Sequence, residues 1–471
     1  MLGTALSVMP PGQWLKTRIM APRLCKRAFS LFSQKPTAPA RVLSHPIEEE
    51  LLPKERLKHF HATHPGQILD GRFKTIAKIG YGAGSTVWLA ENLSYKRWFK
   101  SSIPRYVTIK IPATDIDSAA ELKVLKLIAN ANPLHEGLGC IRTLYDAFDL
   151  PGEHGTHHCL VLEPMRETLF TFQQYLPRKR LGLGIFKAYM FCLLQALDYL
   201  HSECHLIHTD IKDDNILITF ENDSVLKELV DFSKHNPQPM HIREEDGRVT
   251  YLSLGPIDGW EKGSMIPKLV DFNTCFHGLP DNAGRTNPIQ SHRYRCPEAI
   301  LGGGWSYSAD IWNLGLIMWD LLEGKSLFHP AGEGGEYDAH VHLAQLASVL
   351  GPPPKFLAKR EQLYRTVKLD FELVNRQGKK CNTVNDFWGG PFFDQDGGLI
   401  RRDLIKGGMG LHSTVTELVG EDKEEFLDFA LCMLHWLPDG RKTAKELLQH
   451  RFFDKKGGRD PRSNGYMDFV E

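Results

Sequence analysis

The run His208-Thr-Asp-Ile-Lys-Asp-Asp-Asn215 places a carboxylate (Asp210), an ammonium (Lys212) and a carboxamide (Asn215) close together in the chain. A carboxylate can receive a hydroxyl proton. An ammonium two residues on can lie near a transferred phosphate, and an amide oxygen further along can hold a metal ion. Together these three groups can serve phosphoryl transfer. A string this short can arise by chance, so its weight depends on what accompanies it, and in what order.

Upstream, Gly80-Tyr81-Gly82-Ala83-Gly84-Ser85-Thr86-Val87 follows a strand-like run from Phe73 to Ile79. Glycines lack the Cβ that would keep backbone N–H groups away from a phosphate. An ordinary hairpin has the same composition. A dinucleotide-binding turn fits less well, because a strand rather than a helix follows. Lys110 lies in the alternating run Val107-Thr-Ile-Lys-Ile111, where it can bind phosphates if a carboxylate holds it. Glu121 is the only Glu between Lys110 and the end of the next helical stretch; Asp115 and Asp117 fall in the preceding loop. A solvated Lys and a solvated Glu are the plain alternative. Two similar strings offer a second metal-binding carboxylate, Leu229-Val-Asp231-Phe and Leu269-Val-Asp271-Phe272-Asn273. Asp271 is preferred because it follows a short strand-like run, Pro267 to Val270. Asp231 lies among charged residues in what reads as an insertion.

These residues need elements to carry them. Strand, glycine-rich turn and strand span Phe73 to about Ala90, with a further strand at Val107–Ile111. Leu122, Leu125 and Ile128 have helical spacing. Cys159-Leu-Val-Leu162 reads as a buried strand, and after Leu183 the chain is mainly helical. Ordered structure is expected to begin near Ile68. Residues 221–267 are polar and charged, and residues 379–408 are rich in Gly and Asp; both read as surface loops.

Bulk properties narrow the class. The 471 residues include 42% hydrophobic and 24% charged, as in soluble globular enzymes. The 57 basic and 57 acidic residues cancel, so no global charge argues for nucleic acid or membrane as a partner. Nine scattered Cys without a CxxC pair point to reduced thiols rather than a disulfide framework. No unbroken apolar run reaches the length of a membrane-spanning helix. Residues 1–47 carry seven Lys and Arg and no acid. Such a leader resembles a mitochondrial transit peptide, with a processing-site-like Arg27-Ala-Phe-Ser30; a disordered basic extension has the same composition.

Three further motifs are structural in type: Cys296-Pro297-Glu298, Asp310-Ile-Trp312-Asn-Leu-Gly315, and Arg441 in Leu437-Pro-Asp-Gly-Arg441, placed to pair with Glu298. With these in order, the chain resembles the eukaryotic protein kinases over residues 70 to 454. More narrowly it is similar to the SR-protein kinases, especially fungal ones. That likeness rests on Ser85-Thr-Val-Trp-Leu89, His208-Thr-Asp-Ile-Lys212, Ile289-Gln290, Tyr294-Arg295, Ser308-Ala-Asp-Ile-Trp312, Asp320-Leu-Leu-Glu-Gly324-Lys-Ser-Leu-Phe328 and Gly351-Pro-Pro-Pro354.

The resemblance implies an α+β bilobal protein kinase fold. Residues 1–47 would be leader, 48–67 linker, 68–165 the small lobe and hinge, 166–454 the large lobe, and 455–471 a tail. It implies ATP and Mg²⁺ as cofactors and transfer of the γ-phosphoryl group to Ser or Thr. Asp210 would accept the hydroxyl proton and Lys212 would neutralise the phosphate. Asn215 and Asp271 would hold metal. Lys110, supported by Glu121, would bind phosphates beneath the stretch Ile79 to Val87. In Glu163-Pro-Met165, backbone groups of Glu163 and Met165 would meet adenine, with Leu162 as gatekeeper. Asp271 precedes Cys296 by 25 residues, a normal activation-segment length for the family; Asp231 instead keeps the usual distance from Asp210. A protein substrate is implied, Arg/Ser-rich or basic, with no direct nucleic acid contact, no membrane span and a monomeric state. Cytoplasm or nucleus follows from the family, and the leader adds the mitochondrion.

The chain departs from the family in places. Thr209 replaces the Arg that reads an activation-loop phosphate, which implies activity without that switch. Asn273 replaces a Gly, at a turn where Asn tolerates positive φ. Ser85 takes the third glycine position. Asp213-Asp214 adds negative charge beside the site, which suits an Arg-rich peptide or a solvated surface equally. The family's long spacer insertion is missing. Two other functions stand beside the kinase reading. One is a pseudokinase scaffold, suggested by Asn273, Ser85 and the long insertion at 221–267. The other is a small-molecule phosphotransferase, opposed by the Pro-Glu, Asp310 and Arg441 motifs.

Overall fold

The structure, a computed structural model, describes residues 39–96, 102–257, 264–279, 284–369 and 371–454. Most of the leader and the whole of the 455–471 tail lie outside the described residues. The fold is α+β. The described residues form two compact units, one from 39–172 and 216–273, the other from 173–215 and 274–454. The expected boundary lay at 165/166. The first unit runs on to Phe172 and also takes the strand that leads to Asp271. Backbone hydrogen bonds explain this: Arg166 N–H donates to Ile218 O at 2.8 Å, and Arg142 N–H to Leu269 O at 3.1 Å. Strands Ile216–Ile218 and Pro267–Leu269 pair antiparallel beside them.

The first unit is built on a six-stranded antiparallel sheet. Its order is Ile68–Leu69, Phe73–Gly82, Ser85–Asn92, Tyr106–Pro112, Gly155–Leu162, Leu144–Gly152. Side chains alternate between faces along a strand. One face of Tyr106–Pro112 presents Thr108 and Lys110. The other presents Val107, Ile109 and Ile111, which join Phe73, Trp88, Ala90, Phe148, Cys159 and Val161 in one buried cluster. A second, largely apolar face needs its own cover, since each large side chain buried there contributes roughly 1.5–3 kcal/mol.

Ile103, Tyr145, Leu150 and Tyr251 pack on this cluster, and two segments expected to be linker and loop fold beside the sheet, the first with Leu52 and Phe60 in a small cluster of their own with Ala113. Residues 48–67 carry a 3-10 turn, Glu48–Leu51, and a helical turn, Lys54–Leu57. Residues 221–257 carry the helix Asp223–His235 and the hairpin Met240–Ile242/Val249–Tyr251, which pairs in parallel with Val42–Leu43. Tyr251 packs on the cluster, its ring 6.0 Å from that of Trp88. Ordered structure therefore begins well before Ile68, and this insertion is a folded part of the sheet unit.

The second unit is mainly helical. Helix Leu183–Asp198 continues to Glu203; by length and composition it could cross a membrane, but 56% of its apolar 18-residue stretch is buried inside the protein, as in a core helix. Helix Ser308–Leu322 is buried along its whole length. Gly315 lets it approach its neighbour, because a Cβ there would lie 2.9 Å from Leu434 Cδ2. The expected loop at 379–408 also carries structure. Lys380–Cys381 pairs with Leu373–Val374, and helix Val384–Trp388 is N-capped by Thr383. Trp388 Nε1 donates to Ala299 O at 3.2 Å, fastening this segment to the Pro297–Leu301 helix.

That helix is held from the other side by a buried ion pair. Arg441 Nη1 and Nη2 bond Glu298 Oε1 and Oε2 at 2.6 and 2.7 Å. Nη1 also reaches Ser308 O, Nε reaches His435 O, and the guanidinium lies over the Trp312 ring. Removing one partner leaves an uncompensated buried charge. Arg441→Met is expected to lower unfolding free energy by about 3–5 kcal/mol, measured by urea denaturation.

Candidate active site

In the first unit, Lys110 projects from its strand opposite Val87 on one neighbour and Leu160 on the other. The register therefore sets the residue that leaves the glycine-rich hairpin beside the lysine. Helix Ser118–Asn130, N-capped by the Asp117 side chain, puts Glu121 in its first turn. Lys110 Nζ bonds both Glu121 oxygens, at 2.7 and 2.9 Å, with Glu121 only 4% exposed. Asp271 Oδ1 lies 3.8 Å from the same ammonium. One cation thus meets a buried carboxylate that fixes it and a more open one.

The turn after Asp271 differs from expectation. The left-handed residue is Asp271 itself, at φ 67°, and Asn273 is not in that region. Asn273 Nδ2 instead donates to Asp271 Oδ1 at 2.7 Å. Asn273 thereby orients the carboxylate and leaves Oδ2 for a metal. Asp231 lies exposed on the helix Asp223–His235, apart from this arrangement.

The hairpin closes tightly, with Gly82 opposite Ser85. Gly84 is required by packing: a Cβ there would lie 2.9 Å from Ile116 Cγ1. Ile79, Gly80, Tyr81, Ala83 and Thr86 complete the stretch, and Thr86 is buried. At Glu163 most of the polar groups already have partners within the protein. Its N–H donates to Thr143 O at 3.0 Å, and its carbonyl accepts from Arg142 Nε at 2.9 Å. Its side chain is bound by Lys268 Nζ at 2.7 Å. Burial lowers the Arg142 guanidinium to about 10. Glu163 is therefore committed to the protein except for one carbonyl lone pair. Among the described residues, the Met165 backbone N–H and C=O form no hydrogen bond, so Met165 is the freer edge.

In the second unit, one carboxylate gathers three donors. Asp210 Oδ2 accepts from Lys212 Nζ at 2.5 Å and from Asn215 Nδ2 at 3.1 Å; Oδ1 accepts from Ser291 Oγ at 2.9 Å. Asn215 Nδ2 also donates to Asp210 O, which turns its amide oxygen away as a possible hard metal ligand. Ser291 was missed from sequence. Its only signal is its place five residues before the Cys296-Pro-Glu motif, and nothing local says that its hydroxyl reaches a residue 81 positions away.

The loop itself hangs from Asp310, which is fully buried. Its Oδ2 accepts from His208 N–H and its Oδ1 from Thr209 N–H, both at 2.8 Å, and His201 Nε2 completes the set at 2.9 Å. These bonds hold Thr209 at φ 67°, a costly conformation for a β-branched residue. The Thr209 hydroxyl donates to Thr274 O at 2.8 Å, which ties the loop to the segment that follows Asn273. Asp213 and Asp214 divide. Asp214 is exposed, whereas Asp213 is buried against Arg293 Nη2 at 3.2 Å and Tyr294 OH at 3.4 Å. Only Asp214 can meet a basic peptide.

Each half offers hard oxygen ligands singly, from Asp271 and from Asn215. Among the described residues no cluster of three or more His, Cys, Asp or Glu could enclose a metal. The carboxylate oxygen of Asp271 and the amide oxygen of Asn215 are of the hard type that Mg²⁺ takes.

Comparison with known proteins agrees. The protein kinase domain family matches residues 73–252 and 258–453. A serine/threonine protein kinase of Aspergillus fumigatus is 32% identical over 406 residues, covering 85% of this chain and 89% of that protein. A serine/threonine-protein kinase SRPK of Physarum polycephalum is 28% identical, covering 83% and 88%. The protein kinase dsk1 of Schizosaccharomyces pombe is 27% identical, covering 70% and 75%. A solved kinase domain shares the fold, with TM-score 0.57, 21% identity, and coverage of 84% of this chain and 99% of that one.

The buried Asp213 has a pH signature. Burial pushes its carboxyl up to about 6, against the pull of Arg293 and helped by Asp320 and Asp214. The folded state thus holds a proton that the unfolded chain releases near 3.8. Stability falls as pH rises from the unfolded value through about 6, by on the order of 1–3 kcal/mol. Asp213→Asn is expected to be more stable than wild type at pH 7 and to lose that advantage at pH 4, measured by denaturant titration at both.

Proposed function

The chain belongs to the protein kinase domain family, and from that premise we propose that it transfers the γ-phosphoryl group of ATP to Ser and Thr hydroxyls of protein substrates. The observation that carries this reading is Asp210, held by Lys212, Asn215 and Ser291. A carboxylate fixed by three donors keeps an orientation for an incoming hydroxyl. Ionised, it can accept the proton that hydroxyl gives up. Lys212, beside it, neutralises charge on the transferred group. Lys110, fixed by Glu121, binds the nucleotide phosphates beneath the Gly80–Val87 hairpin. Met165, and one lone pair of Glu163 O, face the base. Asp271 and Asn215 would each offer an oxygen to Mg²⁺, which when bound would supply charge neutralisation on the phosphates. Positioning and electrostatics then supply most of the rate enhancement.

Substrates are proposed to be basic, Arg/Ser-rich ones included. Support comes from the exposed Asp214 and from the likeness to the SR-protein kinases. The Thr209–Thr274 bond supports activity without activation-loop phosphorylation.

Radiolabelled ATP offered with an Arg-Ser peptide and with a basic protein tests both statements. Transfer is expected from the wild type, and treating the purified enzyme with phosphatase should leave its rate unchanged. Lys110→Met and Asp271→Ala should each reduce transfer by about 100-fold or more with thermal unfolding preserved. Asp231→Ala should leave transfer intact. Nucleotide binding without transfer, unaltered in Asp210→Ala, would instead mark a scaffold.

A further inference from the structure

The strand Phe73–Gly82 leads directly into the phosphate-covering hairpin, and along one side it is nearly an edge. Its outer neighbour pairs only with Phe73 and Lys74, and residues 66–67 take the backbone of Thr75. Beyond that point the ladder toward the hairpin is irregular on the inner side too. The register shifts between Lys78 and Gly80, which leaves Ile79 bulged. Bulges are where a strand bends, so the hairpin's direction is decided here.

At this spot the insertion replaces a missing strand. Gln238 Oε1 accepts from Lys78 N–H, and Gln238 Nε2 donates to Lys78 O and to Leu252 O, each at 2.8 Å. Leu254 N–H also donates to Lys78 O at 2.9 Å. The Lys78 side chain is fully buried. Its Nζ bonds Glu48 Oε2 at 2.7 Å, Glu49 Oε2, and Tyr251 O at 3.1 Å. The Tyr81 ring lies 5.5 Å from the same Nζ. Glu48 is in turn fixed by Ser253 N–H and Ser253 Oγ. A single residue, two before Gly80, is thus bound through backbone and side chain to segments far away in sequence.

We propose that Gln238 and Lys78 are positioning residues for nucleotide binding. They hold the root of the Gly80–Val87 hairpin at the bulge, and through it set the affinity for Mg·ATP. The inference rests on the phosphotransfer reading only in naming ATP as the ligand. Gln238→Leu keeps the volume and removes all three amide bonds.

The test compares this variant with wild type by the Kd of a fluorescent ATP analogue with Mg²⁺. It adds KM for ATP, kcat at saturation, and hydrogen exchange of the Ile79–Val87 amides. Gln238→Leu should raise Kd and KM about tenfold while kcat stays within about twofold, with faster exchange confined to the hairpin. Ser253→Ala, which loosens only the Glu48 side of the brace, should shift the same readings less. A folded Gln238→Leu with wild-type Kd and wild-type hairpin exchange overturns the inference. If that variant does not fold, unchanged exchange and affinity in Ser253→Ala overturns it. A wild type that binds the nucleotide but transfers nothing refutes the kinase reading alone, while the Kd ratio still decides this one.

Discussion

A sheet that presents a lysine on one face and mostly hydrocarbon on the other cannot stand in water. Lys110 and Thr108 point one way from their strand; Val107, Ile109 and Ile111 point the other, into a cluster with Trp88 and Phe148. Exposing that cluster would forfeit many kcal/mol of apolar burial, so some part of the chain must lie over it. Residues 221–257 contribute Tyr251 to that cover, and the N-terminal segment packs alongside, with Leu52 and Phe60 against Ala113. Once there, they do more than cover. Their polar groups reach the strand's open edge at Lys78, because backbone N–H and C=O groups removed from water need partners. Burial of an apolar face and anchoring of the glycine-rich hairpin are two consequences of the same packing.

The second unit follows a complementary logic, in which buried charge organises backbone. Asp310 is fully buried and satisfied by two backbone N–H groups and a histidine. A desolvated carboxylate is tolerable only when hydrogen-bonded, and the donors that satisfy it are the loop's own amides. The unfavourable φ of Thr209 is held by those bonds, and the reward is a fixed backbone leading into Asp210. Glu298 with Arg441 does the same for the helix after the activation segment. Asp213, at first sight another acid for a basic substrate, belongs to this interior class. Its neighbour Asp214 does not, though the two are adjacent in sequence and identical in type.

Legibility from sequence followed the range of the interaction. Asp210, Lys212 and Asn215 were readable because their spacing is local and their types are demanded by the chemistry. Lys110 with Glu121 was readable because one strand and the next helix exclude other carboxylates. The choice of Asp271 over Asp231 rested on a short strand before it; the structure puts Asp231 on an exposed helix face. Ser291, Gln238 and the Thr209–Thr274 bond were not readable. Each depends on a side chain meeting backbone or carboxylate from a distant segment, and no periodicity records that. The polar composition of 221–257 also misled, because a covering segment needs only a few apolar contacts, such as Tyr251, and is otherwise solvated.

The sequence by itself determined the chemical inventory, its order along the chain, and the α+β class, because side-chain type and local spacing are written into it directly. Only the tertiary structure decided which of two adjacent aspartates is buried, and that Asn273 orients Asp271 rather than turning the chain. It also decided that Glu163 is bound up by Arg142 and Lys268, and that an apparent loop supports the hairpin. Each of those outcomes turns on which groups share a desolvated space, and that is settled by packing between segments far apart in the chain.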